Sequence, residues 1–298
     1  MQEDNRQWQG RTDGGNFGLK FLLWILKYIP LCIAYSFVAL ALPFYLLCRP
    51  KSRNAIYSYF HKQLSYPKGK AVFHTWAQHF VFGQILMDKL AVLSNKNIKF
   101  SFASEGVEEF YKLLEKKEGY MLFGAHVGNF EIAGYLLKQD VKRINSIAFG
   151  GEEEILQQYR KRKFKETNVR VLTVTDDMSH LFSLNSAIDN GEIISLTCDR
   201  SAGSEKSIKC NFLGEPAKFP VGPFALATTK NVEVLSLFIM KEKRKNYRIF
   251  VKNITVHQEN INKKEKIQQL ATNYIKELEK VVKLYPTQWF NFYDFWKN

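Results

Sequence analysis

A chain of 298 residues that is 46% hydrophobic and carries 24 Phe can bury a sizeable core, which excludes a disordered tail. Its 43 Lys and Arg against 29 Asp and Glu leave a formal net charge of +14, which points to an anionic partner: nucleic acid, an anionic membrane surface, or a phosphorylated or acidic substrate. No zinc-finger, basic-zipper or RNA-recognition pattern is present, so nucleic acid is the least favoured of these. The four cysteines (Cys32, Cys48, Cys198, Cys210) form no C-x-x-C pair and suit reduced thiols in a cytoplasm-facing protein.

In chain order, residues 1–16 are polar and read as a loose arm. Ile29 to Cys48 contains no charged residue, and as a helix it would span about 30 Å, the thickness of a bilayer core. A cleaved signal peptide would need a shorter apolar region and a small-residue cleavage site, so the segment reads as an uncleaved anchor. Pro30 and Pro43 also suit a kinked or re-entrant path, and a buried core helix is the remaining alternative. Lys20 and Lys27 precede the run. Arg49, Lys51 and Arg53 follow it, continued by Lys62, Lys68 and Lys70, which favours a cytoplasmic position for the rest of the chain. Residues 1–50 are therefore arm and anchor, and 51–298 one further domain. Helices are predicted over 52–66 and 70–93, aromatic on one face and broken at Tyr66-Pro67-Lys68-Gly69, so that 51–95 forms a helical, membrane-proximal portion. His74 and His79 lie five apart, the wrong spacing for a helical metal pair, and read as packing or surface residues.

From residue 97 the pattern alternates. Strands are predicted at 98–102, 119–124, 144–148, 171–175, 192–198, 232–240 and 247–256, and helices at 105–116, 129–138, 152–166, 177–189, 220–230 and 263–284, which is an α/β sheet with helices on its faces. In such sheets ligands gather at the carboxyl ends of strands. There stands Gly124-Ala125-His126-Val127-Gly128-Asn129-Phe130-Glu131, read as strand, glycine-punctuated turn and helix start. If His126 to Glu131 were all helical, the two side chains would point about 140° apart, so they meet only if His126 lies on the turn. An imidazole oriented by a carboxylate is a good general base. A buried histidine beside a carboxylate that complements the helix dipole is the structural alternative. The amides of Gly128 and Asn129 are candidate oxyanion donors.

Two further stretches carry charge. Arg160-Lys161-Arg162-Lys163-Phe164-Lys165 ends a helix opened by Glu152-Glu153-Glu154; it reads either as a solvated face matched to the helix dipole or as an anion-binding patch. Asp199-Arg200 follows the strand 193–198 directly, a place more suited to a site than to a core. Residues 212–227, Phe-Leu-Gly-Glu-Pro-Ala-Lys-Phe-Pro-Val-Gly-Pro-Phe-Ala-Leu-Ala, read as an extended segment and turn entering an apolar helix. No dinucleotide glycine fingerprint, phosphate loop or G-x-S-x-G elbow is present.

Three blocks in order resemble the late acyltransferases of lipid A biosynthesis. The first is His126-x4-Glu131, similar to the family's H-x-G-N-[WF]-E block. The second runs from Asp199 through residues 212–227, and the third is the closing Tyr285-Pro286-Thr287-Gln288-Trp289-Phe290. The resemblance covers nearly the whole chain. It implies a central mixed sheet flanked by helices, as in glycerolipid acyltransferases, with an N-terminal membrane-anchor helix. It also implies cofactor- and metal-free acyl transfer from acyl-carrier protein or acyl-CoA to a lipid hydroxyl, on the cytoplasmic face of the inner membrane and without nucleic acid. Carried over, His126 is the general base and Glu131 its orienting partner. Asp199 and Arg200 would serve the substrates, with Arg162 a further anionic contact and Gly128 and Asn129 lining the site. The second block reads Asp199-Arg200-Ser201 where the family more often has Asp-x-Asp, so related acceptors stay open: an aryl-polyene or resorcinol pigment, or an amino-acid lipid. A glycerol-phosphate acyltransferase would carry a Phe-Pro-Glu-Gly-Thr-Arg-like block, and Phe219-Pro220-Val221-Gly222-Pro223 lacks its charged members. A non-catalytic basic membrane-surface protein is the competing class.

Overall fold

The computed structural model describes residues 15–94, 98–132, 134, 141–148, 154–164, 167–173, 179–200, 206–258 and 260–297. Helices come first: α1 (Gly15–Ile25), α2 (Leu31–Cys48), α3 (Pro50–Ser58) with a π-helical turn at Tyr59–Gln63, and α4 (Lys68–Ser94). Strands and helices then alternate as β1 (Ser101–Glu105), α5 (Val107–Leu114), β2 (Tyr120–Gly124), β3 (Ile144–Ala148), α6 (Glu154–Phe164), β4 (Val169–Thr173), α7 (Ser179–Asp189) and β5 (Ile193–Thr197). The chain closes with a hairpin, β6 (Ser207–Phe212) and β7 (Glu215–Pro220), then α8 (Gly222–Lys230), β8 (Val234–Lys243), β9 (Asn246–Asn253) and α9 (Lys263–Leu284).

Seven strands form one sheet in the order β1-β9-β8-β2-β5-β3-β4, with β6 and β7 paired apart from it. Every pairing in the large sheet is parallel except β8 with β9, so the α/β fold with a mixed sheet is as the sequence leads one to expect. β2 lies at the centre and four of its five residues are buried, as a parallel strand covered on both faces must be. Alternate side chains feed two clusters. Met121 and Phe123 pack with Phe224 and Tyr274 of α8 and α9, while Tyr120 and Leu122 pack with Leu113 of α5.

Most elements fall within a few residues of their predicted places. Asn129–Ile132, where a helix over 129–138 is expected to begin, are turn, and residues 133 and 135–140 lie outside the described ones. The strand expected at 98–102 pairs instead at 101–105, on the sheet edge. Arg160, expected on a solvated face or in an anion-binding patch, is buried.

Candidate active site

The site grows out of strand register. β2 and β5 are parallel neighbours, with Gly124 opposite Thr197 at their carboxyl ends. Two residues beyond each lie His126 and Asp199, so equal steps off two paired strands bring an imidazole and a carboxylate together. His126 Nδ1 is 2.7 Å from Asp199 Oδ1, and the backbone N–H of His126 donates to Oδ2 at 3.0 Å. Trp289 Nε1 donates to the same oxygen at 3.4 Å. The Asp199 carboxylate is 2% exposed, whereas the His126 side chain is 25% exposed.

Burial pushes the Asp199 carboxyl up, but the His126 charge and hydrogen bonds and the Arg200 charge outweigh it and hold the group at about 2. It is thus an anion at any working pH, and Nδ1 of the ring carries a proton to donate to it. Nε2 is left to the outside; it has no hydrogen-bond partner among the described residues. The Phe130 ring stands edge-on to the imidazole, 5.7 Å between centroids.

The turn is fixed from below. Gly128 adopts φ +52°, and a Cβ there would sit 2.0 Å from the carbonyl oxygen of Ile239, so only glycine fits. The Gly128 amide donates to Gln288 O and the Asn129 amide to Ile239 O, both at 2.8 Å. These two N–H groups are therefore committed to β8 and the closing segment, a correction to their reading as oxyanion donors. The Asn129 side chain donates to the Tyr247 hydroxyl at 3.2 Å. Val127 bridges to Trp289, and the Phe290 amide donates to His126 O at 2.9 Å.

Glu131, expected to orient the imidazole, holds Lys89 of α4 at 2.8 Å instead, and the place on Nδ1 belongs to Asp199. Local spacing bears only on whether Glu131 can reach His126, and Asp199 stands 73 residues beyond His126, just past the end of the neighbouring strand. Arg200 lies beside the pair: a guanidinium nitrogen donates to Phe290 O, and the group stands 5.8 Å from the centre of the Tyr293 ring. Arg162 is exposed on α6, 5.2 Å from the Tyr159 ring, with no contact to the His126–Asp199 pair. Lys89 belongs to no motif in the sequence, and Trp289 stands in the closing motif without an expected role. The indole is buried, held among Tyr59, Phe212 and Phe295.

Together these parts form a buried carboxylate, an oriented imidazole with one nitrogen turned outward, and an aromatic wall. That set can take a proton from an alcohol or amine. No curated protein matches the chain as a relative. The family model described as bacterial lipid A biosynthesis acyltransferase matches residues 69–298, which includes His126, Asp199 and the closing Trp289. The chain belongs to the bacterial lipid A biosynthesis acyltransferase family.

Proposed function

We propose that the protein transfers a fatty acyl chain from a thioester donor, acyl-carrier protein or acyl-CoA, to a hydroxyl of a lipid A precursor, with His126 as general base and Asp199 as its orienting anion. The observation that carries this is the hydrogen bond between His126 Nδ1 and Asp199, which fixes the ring with Nε2 outward in a chain of this family. In the reaction, Nε2 takes the acceptor hydroxyl proton as the oxygen attacks the thioester carbonyl. The tetrahedral intermediate collapses with cleavage of the C–S bond, and the leaving sulfur receives the proton back from Nε2. Asp199 stays ionised throughout and stabilises the imidazolium.

Glu131 acts here as a positioning residue, tying the turn to α4 through Lys89. Arg200 serves the anionic part of a substrate, and the surplus of basic residues suits both an acidic carrier and a lipid phosphate. The protein works at the cytoplasmic face of the inner membrane, held there by its apolar N-terminal helix.

The test is mass spectrometry of membrane lipids from cells with and without the protein, alongside a His126→Ala version. A lipid A species heavier by one acyl chain should appear only with the intact protein, and turnover should fall on the order of 10²–10⁴-fold in the variant. A gain on another lipid or pigment moves the acceptor and keeps the base. No change in any acylated species overturns the proposal.

A further inference from the structure

We infer that α2 does not cross the bilayer but lies in the plane of one leaflet, as the lipid-facing side of the catalytic domain. By length and composition α2 could span a membrane, and that alone leaves a span and a surface helix equally open. Its packing decides between them.

α2 runs antiparallel against α4 over most of its length. The Tyr35 hydroxyl bonds Asp88, Val38 packs on Gly83, and the Tyr45 ring stands 6.0 Å from His79. At Gly83 a Cβ would lie 2.4 Å from Val38 Cγ1, so the missing side chain sets how closely the helices approach. The two helices therefore sit at the same depth. α4 in turn belongs to the catalytic domain: Asp88 pairs with Lys241 of β8, Lys89 pairs with Glu131, and Gln78 donates to Trp289 O at 2.7 Å. An α2 that crossed the membrane would pull these charges and the floor of the site into hydrocarbon, at several kilocalories per mole for each group.

The outward face of α2 fits the alternative. Ile33, Phe37, Leu40, Phe44 and Leu47 are all exposed and recur at steps of four, three, four and three, one continuous stripe opposite the buried Ala34, Tyr35 and Leu42. α1 and the turn after it add exposed Phe21, Trp24 and Tyr28, and the first turns of α4 add Val72, Phe73 and Trp76. So large an apolar exposure marks an interaction surface. Its borders are cationic, with exposed Lys20 on α1 and Lys27 in the turn after it, Arg49 and Lys51 after α2, and Lys68 and Lys70 opening α4. A span with the domain in the cytoplasm would leave Lys20 and Lys27 on the far side, against the usual distribution of charge. In the plane, both flanks meet the anionic headgroups of the same leaflet.

Two native thiols make this testable. Cys32 and Cys48 are exposed near the two ends of α2, about 24 Å apart along its axis. The full chain is prepared with one reactive thiol at a time. Cys48→Ser with Cys210→Ser leaves Cys32, and Cys32→Ser with Cys210→Ser leaves Cys48. Lys209→Cys, in a background lacking the other three, reports the exposed hairpin; the buried Cys198 stays throughout. Each is labelled with a nitrobenzoxadiazole dye and added to preformed vesicles of phosphatidylethanolamine and phosphatidylglycerol. Membrane-impermeant dithionite is then supplied from outside. In-plane binding bleaches the dye at Cys32, Cys48 and Lys209→Cys to the same extent. A span protects Cys32 alone until detergent opens the vesicles, which overturns the inference, as does failure to float with the vesicles. The readout involves no turnover, so it stands or falls apart from the proposed reaction.

Discussion

Among the described residues two carboxylates are buried, each against a basic partner, and their surroundings drive them in opposite directions. Asp199 is held down at about 2, because the His126 and Arg200 charges and hydrogen bonds outweigh its burial. Asp88 is pushed up, because burial outweighs Lys241 and the Tyr35 and Tyr247 hydroxyls, and the same burial lowers the Lys241 ammonium. The geometry differs in the same sense. Asp88 and Lys241 are sealed, at 0% and 4% side-chain exposure, whereas the partner of Asp199 is an imidazole at 25%. A pair closed on both sides joins α2, α4, β8 and β9; a pair with one partner open can pass a proton. The contrast suits a structural role for the first pair and the proposed proton transfer for the second.

Replacing each acid should therefore fail in a different assay. Asp199→Asn keeps the shape but loses the anion that holds Nδ1–H, so kcat should fall on the order of 10³–10⁴-fold with little loss of fold. Glu131→Gln should cost less turnover; if it costs as much while Asp199→Asn retains activity, the orienting role returns to Glu131. Asp88→Ala should instead show in denaturant unfolding, at about 3–5 kcal/mol, since it strands the Lys241 ammonium in the core. Removing both charges together, as Asp88→Leu with Lys241→Met, should recover most of that loss. A double variant as unstable as the single one would mean that the pair specifies the packing.

The two acids also give stability opposite slopes with pH. Asp199 is depressed, so its contribution is complete above its ordinary 3.8 and is lost as pH falls toward 2, about 2 kcal/mol in all. Asp88 is raised, so the folded chain keeps a proton that the unfolded chain has released, and its contribution fades as pH rises through the folded value. Urea unfolding of the wild type against Asp199→Asn between pH 5 and 2 should show their difference narrowing as pH drops. A constant difference would mean that Asp199 is not held down in the folded protein.

The sequence shows why one pair was partly legible and the other was not. Both strands behind the site, β2 and β5, are readable as apolar runs, and α9 matches its predicted ends because Asn262 and Glu265 form a capping box. What no local pattern contains is that β2 and β5 are neighbours with Gly124 opposite Thr197, and this pairing alone sets Asp199 on His126. Asp199 therefore stands out in the sequence as a charged residue at a strand end, while its hydrogen bond to His126 does not. The helix expected at 129 illustrates the same limit. Its apolar spacing is genuine, yet the positive φ of Gly128 and the Asn129 bond to β8 make the described part a turn. Asp88, Lys89 and Lys241 lie in ordinary helix and strand patterns and give no signal before the chain folds.

The smallest expected effect tests the third carboxylate of the site. Glu131 and Lys89 are each partly exposed, at 21% and 18% of their side chains, so their pair is screened far more than Asp88 with Lys241. A double-mutant cycle with Glu131→Gln and Lys89→Met should give a coupling of about 1 kcal/mol or less in unfolding free energy. The informative number is the same cycle measured on kcat. If Lys89 acts only by holding Glu131 and the turn, the second substitution should cost no further turnover once the first is made. If each costs its full amount in either background, Lys89 and Glu131 touch the substrates separately, and the turn is held by Gly128, Asn129 and the closing segment alone.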